Sequence, residues 1–238
     1  MSSLRAVLFD IDDTLVATSS FAKIARRNAA AAMVEAGLDL PLEEVVRELD
    51  EVIAEFSSNY DHHFDKLIQR LDFDLGDKNQ ALVVAAGVVA YHDTKFKELR
   101  PFEDVIPLLT DLRAAGIATG IITHGWTVKQ AEKLIRLKLV EHFEPNAIFI
   151  SDQIGISKPN PKLYLTALRT LGLEPGEVMY VGDSPAHDVA PAKALGMISV
   201  FSSRASRYEI EKTGVLPDHS VADFTELRKI LESEYGVL

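Results

Sequence analysis

A chain of 238 residues, 47% of them hydrophobic, suits one large domain or a domain with a smaller companion and is too apolar for global disorder. It has no cysteine, which removes disulfides, zinc–thiolate sites and thiol nucleophiles and fits a reducing compartment. A formal net charge of -11 without any Lys/Arg cluster argues against a broad nucleic-acid interface, so an anionic ligand would need a metal, a buried Lys or helix N-termini.

The N-terminal lead runs straight into an apolar stretch with no signal-peptide core. Val7-Leu8-Phe9 reads as a buried strand of a parallel sheet that ends in Asp10-Ile11-Asp12-Asp13-Thr14. Residues 19–37, 41–57, 62–71 and 78–99 each carry apolar positions at helical spacing, with Gly37 as a C-cap and Pro41 at a helix start. Some eighty residues thus hold helices and no convincing strand, which predicts a four-helix module over 16–99 inserted into a core of 1–15 and 100–238. The longest apolar tract, 81–91, is too short to span a bilayer and reads as a buried helix. No membrane partner is expected, and the chain reads as a cytoplasmic protein.

From Pro101 strands and helices alternate. Helices are predicted over 102–115, 126–139, 160–171 and 185–195, with strands over 117–122, 147–151, 178–181 and 198–201. Thr127 and Gln130 suggest a capping box, and Pro191 a kink within the helix at 185–195. A short strand at 220–221 and a terminal helix capped by Asp223 and Glu226 follow. This alternation predicts an α/β fold, a Rossmann-like three-layer core around a parallel sheet, carrying the inserted helical cap.

Ligands of such sheets bind outside the carboxyl ends of the strands. Polar residues collect there: Asp10 and Asp12, then Thr123-His124-Gly125, then Lys158-Pro159 before a helix, then Gly182-Asp183 through Asp188. Asp10 and Asp12 stand two apart, so in an extended chain they lean to one side. Four carboxylates against Lys158 leave a deficit of positive charge that a hard, oxygen-seeking cation such as Mg²⁺ would cover. Asp12 is expected to be the acid whose pKa the neighbouring carboxylates raise. Thr123, Gly125 and the following helix start suit a phosphate, although Thr123 also reads as a cap. Lys158 reads either as a phosphoryl ligand or as a solvated Lys, and His124 either as a ring near substrate or as a satisfied polar residue. Trp126 reads as packing.

These clusters resemble the signature set of the haloacid dehalogenase superfamily, along the whole chain. Asp10 to Thr14 is similar to its first motif, Thr123 to its second, Lys158-Pro159 to its third, and Gly182-Asp183 with Asp188 to its fourth. His124 departs from the Asn or Asp usual after the second-motif Thr. The helical insert resembles the subfamily with a small α-helical cap, and 22–97 is similar to archaeal members that hydrolyse glyceraldehyde 3-phosphate. The resemblance implies a Mg²⁺-dependent phosphatase of small phosphorylated metabolites. Asp10 would be the nucleophile and Asp12 the acid and base. Mg²⁺ would be held by the Asp10 and Asp183 side chains and the Asp12 carbonyl. Thr123, His124 and Lys158 would line the phosphate site, and Asp188 would orient Lys158 or a metal-bound water. A phosphomutase, or a non-catalytic binding module that keeps the fold, are the alternatives. The resemblance also suggests a homodimer, which no residue demands.

Tyr60, His62, His63 and Lys95 are assigned to shaping the leaving-group pocket. Together with Asp65 and His92 they also admit a second metal site, disfavoured because adjacent His rings diverge on a helix.

Overall fold

The computed structural model describes residues 4–71 and 75–238; the lead at 1–3 lies outside the described residues. The chain divides into two compact units, Met1–Ala17 with Arg100–Leu238, and Thr18–Leu99.

The first unit is built on six parallel strands. These are β1 (Ala6–Phe9), β2 (Ala118–Thr123), β3 (Ile148–Ile150), β4 (Val178–Gly182), β5 (Ile198–Ser202) and β6 (His219–Val221), in the order β3-β2-β1-β4-β5-β6. The chain winds outward from β1 to β3, then returns to place β4 on the other flank of β1. Leu8 pairs with Gly120 on one side and Tyr180 on the other. That reversal beside β1 is where a crevice opens at the strand ends. Strand alternation sends Ala6, Leu8, Ile122, Val178 and Tyr180 to one face, into a core with Leu163, Tyr164, Ala167, Leu168 and Ala192. Phe9 points to the other face and meets the Phe224 ring at 5.6 Å. Both faces are therefore covered, as the continuous apolar strands require.

The second unit is helical: α1 (Thr18–Glu35), α2 (Leu42–Phe56), α3 (His63–Arg70) and α4 (Gln80–Glu98). Its core gathers Ala30, Met33, Leu38, Val45, Leu49, Leu67 and Val83. Gly87 lets α4 approach α1, since a Cβ there would lie 2.8 Å from Met33 Sδ. Asn28 Nδ2 donates to Thr94 Oγ1 at 3.0 Å, a polar tie between the same helices. The tract at 81–91 is only half what its composition predicted. Val83 and Gly87 are buried, but Leu82, Val88 and Val89 are exposed, because helical periodicity turns a continuous apolar run to every side. No helix of the described residues is long and apolar enough to cross a membrane.

The remaining helices are α5 (Val105–Ala114), α6 (Thr127–Arg136), α7 (Ser151–Ile154), α8 (Pro161–Leu171), α9 (Ala190–Ala194) and α10 (Phe224–Ile230). Asn160 caps α8 by accepting from Lys162 N–H at 3.0 Å, and Asp223 caps α10 through Glu226 N–H at 2.9 Å. Three expectations change. Helix α5 begins only at Val105, because Phe102 N–H is held by the Leu15 carbonyl and the Asp104 carboxylate is held by Arg204. Helix 185–195 is two pieces, a wide π-type turn over Pro185–Val189 and then α9, where Pro191 sits in a first turn that needs no N–H from it. The capping box at Thr127 does not form. The Asp152 carboxylate caps α6 from α7, accepting from both Thr127 N–H at 2.9 Å and its hydroxyl at 2.7 Å.

Candidate active site

β1 stops at Phe9 and the chain then turns. Asp13 takes a left-handed φ of 56°, and Leu15 N–H returns to the Ile11 carbonyl at 3.0 Å. The period-two rule therefore ends one residue before it was needed, and the two acids part. Asp10 meets Lys158, while Asp12 meets α6.

Lys158 is buried with its ammonium 2.8 Å from Asp10 Oδ1 and 2.6 Å from Asp188 Oδ1. Burial works against its charge, but the two carboxylates outweigh burial and push its pKa upward. The solvated reading of Lys158 is thus not what folding produces. Asp188 is buried as well: Oδ2 accepts from Ser184 N–H at 2.9 Å, and Tyr180 Oη lies 3.1 Å from Oδ1. Gly182 makes this possible, since a Cβ there would lie 2.4 Å from Asp188 Cγ.

Asp10, Asp183 and Asp188 each bring a carboxylate oxygen within 4.8 Å of the others, the one such group of His, Asp and Glu among the described residues. Burial pushes Asp10 up to about 6, against Lys158 and with help from Asp188 and Asp12. Burial, then Asp10, Asp188 and Asp13, push Asp183 to about 8. These are the marks of negative charge that one lysine does not cover. An all-oxygen, under-neutralised cluster fits a hard divalent cation. Both Asp188 oxygens already accept from donors, which leaves Asp10 and Asp183 as the side chains that would hold such an ion.

The raised pKa values fall on Asp10 and Asp183. Asp12 is paired with Lys133, and its Oδ2 accepts from Gln130 Nε2 at 3.1 Å. The sequence reading missed Lys133 and Gln130. Their signal was polar residues on the same helical face as buried Leu134.

Thr123 closes β2 with its hydroxyl buried and without a hydrogen-bond partner among the described residues, so it is available to a ligand oxygen. The Gly125 N–H, expected at the same anion site, instead donates to Ser151 Oγ at 3.0 Å. Asp152 also occupies the start of α6, so the dipole there is already answered. His124 Nδ1 lies 2.7 Å from Ser157 Oγ. Burial, Lys158 and His187 lower its pKa, which keeps the ring neutral at pH 7. Trp126 is not a packing residue: it is exposed, with Lys129 Nζ 4.2 Å from its ring centroid.

In the helical unit Tyr60 meets His62 and His63 edge-on, with ring centroids 5.8 and 5.5 Å away. His62 pairs with Asp65 at 3.5 Å and His63 Nε2 lies 2.7 Å from the Ser57 carbonyl, so the two rings do diverge. Lys95 stands in the last turn of α4.

A family model for haloacid dehalogenase-like hydrolases matches residues 4–196. The chain is 48% identical to a glyceraldehyde 3-phosphate phosphatase of Methanopyrus kandleri, over 93% of this chain and 92% of that one. It is 38% identical to a glyceraldehyde 3-phosphate phosphatase of Pyrococcus furiosus, over 99% of this chain and 96% of the relative. Among solved structures, a HAD phosphatase from Thermococcus onnurineus superposes with a TM-score of 0.69 at 28% identity, covering 96% of this chain and 98% of that one. A 2-haloacid dehalogenase from Pseudomonas syringae shares the fold at a TM-score of 0.60 and 22% identity, covering 96% and 98%. The chain belongs to the haloacid dehalogenase-like hydrolase family.

Proposed function

We propose that this protein is a phosphoric monoester hydrolase of small phosphorylated metabolites, with glyceraldehyde 3-phosphate the first substrate to test. Near-full-length relatives carrying that name support the substrate class. The observation that carries the chemistry is Asp10, held beside buried Lys158 at the end of the central strand, with Asp183 and Asp188 around it.

Asp10 attacks phosphorus and forms an aspartyl-phosphate as the alkoxide leaves with a proton from Asp12. Asp12 then takes a proton from water, which attacks the acyl phosphate and releases inorganic phosphate with Asp10 restored. Lys158 and the Thr123 hydroxyl hold phosphoryl oxygens, and Asp188 holds Lys158 in place. The divalent ion, Mg²⁺ in this reading, supplies positive charge to the phosphoryl oxygens when bound at Asp10 and Asp183. Tyr60, His62, His63 and Lys95 shape the leaving-group pocket, and residues 16–99 act as the cap.

The test is phosphate release from a panel of phosphorylated metabolites, with and without Mg²⁺, for the wild type and Asp10→Asn. Mg²⁺-dependent release that Asp10→Asn abolishes is expected. Isomerised product without free phosphate would point to a mutase, and no turnover of any compound by folded protein would point to a binding module.

A further inference from the structure

Asp12 is gripped by a helix that carries none of the family's signature residues. On α6, Gln130 and Lys133 stand three apart, on the face that buries Leu134. Lys133 Nζ pairs with Asp12 Oδ1, and Gln130 Nε2 lies 3.1 Å from Asp12 Oδ2. Each carboxylate oxygen thus has a donor of its own. The second Gln130 hydrogen goes to the His124 carbonyl at 2.7 Å, which ties the clamp to the end of β2. Gly125, at a φ of 132°, leaves the room: a Cβ there would lie 2.6 Å from Gln130 Nε2. Gln130 Oε1 is buried without a partner among the described residues, so the amide is oriented by its donors. The Lys133 side chain is only 12% exposed, more enclosed than an ordinary surface ion pair.

We propose that Lys133, with Gln130, is a positioning residue that fixes the Asp12 carboxyl for proton exchange with the leaving-group oxygen and then with water. The proposal rests on the phosphatase reading above. A carboxyl on a turn has two side-chain torsions to settle, and one donor on each oxygen settles both. As the P–O bond breaks, its electron pair stays on the alkoxide oxygen, and the proton moves there from Asp12. In the second half a proton moves from water back to Asp12. Loss of the anchor therefore slows the steps that exchange this proton and spares departure of a group that leaves without one.

The experiment measures kcat/KM for the wild type, Lys133→Met and Lys133→Arg with Mg²⁺ present, on an alkyl phosphomonoester and on 4-nitrophenyl phosphate. The nitrophenolate leaves unprotonated, so its kcat/KM does not depend on Asp12. Lys133→Met is expected to lower the alkyl value about tenfold or more and the 4-nitrophenyl value less than about threefold. Lys133→Arg is expected to restore most of the alkyl value. An equal loss on both substrates, or an alkyl value unchanged or raised, overturns the proposal. If Lys133→Met does not fold, Gln130→Leu carries the same comparison. A wild type that releases phosphate from neither compound would sink the phosphatase reading itself, an outcome separate from an active wild type whose substrate ratio Lys133→Met leaves alone.

Discussion

Loading the acidic cluster with Mg²⁺ should eject protons, most of them from Asp183. Asp183, at about 8, is mostly protonated at pH 7, whereas Asp10, at about 6, is mostly ionised. Coordination needs both as carboxylates, so binding at pH 7 releases about one proton, nearly all of it from Asp183. The log of the association constant should then rise by about one per pH unit between pH 6 and 8, steepen below that window and flatten above it. Titration calorimetry in two buffers of different ionisation enthalpy counts the protons directly. Asp183→Asn should remove most of that release and weaken binding. The same groups set the sign of stability in the metal-free protein. Both folded pKa values lie above the unfolded carboxylate value, so the folded state binds more protons from about pH 4 to 8 and stability falls as pH rises through that window. Saturating Mg²⁺ should remove the slope. A metal-bound complex that forms at pH 7 without proton release would refute the claim that Asp183 is an under-neutralised ligand.

The Asp104–Arg204 pair gives the opposite pH dependence. Burial opposes the Asp104 charge, but Arg204 and the Phe224 N–H lower its pKa overall. Its stabilisation is therefore full above the usual carboxylate range and lost as pH falls through the lowered folded value. Asp104→Asn should cost about 1–3 kcal/mol at pH 7, with the gap to wild type closing in thermal scans near pH 3. Gly182→Ala should nearly abolish turnover, because its Cβ would lie 2.4 Å from Asp188 Cγ and must displace the carboxylate that holds Lys158. Activity close to wild type in that variant would show that Asp188 is not needed where it stands.

Much of the site was readable before folding because the strand-end rule is local. Asp10, Thr123 and Asp183 each follow or end an apolar strand, and Lys158 precedes an Asn-Pro helix start, so their spacing placed them together at the strand ends. What the spacing could not reveal was which donors each acid would meet. Asp152 outcompeted the local Thr127/Gln130 box because it reaches two Thr127 donors from α7, and this freed Gln130 for Asp12. Lys133 is brought to Asp12 only by the packing of α6 with its Leu134 face inward.

Sequence alone determined the classes of element, the parallel α/β core, the helical insert and the residues at the strand ends. Those follow from periodicity and from the cost of ending a buried strand in carboxylates, both of which act within a few residues. Tertiary structure decided which donors each acid meets. Asp12 meets Gln130 and Lys133 across 118 and 121 residues, and Lys158 reaches Asp188 across 30. Those pairings depend on how sheet and helices pack, because burial and a neighbour's charge are properties of a position in space rather than of a place in the chain.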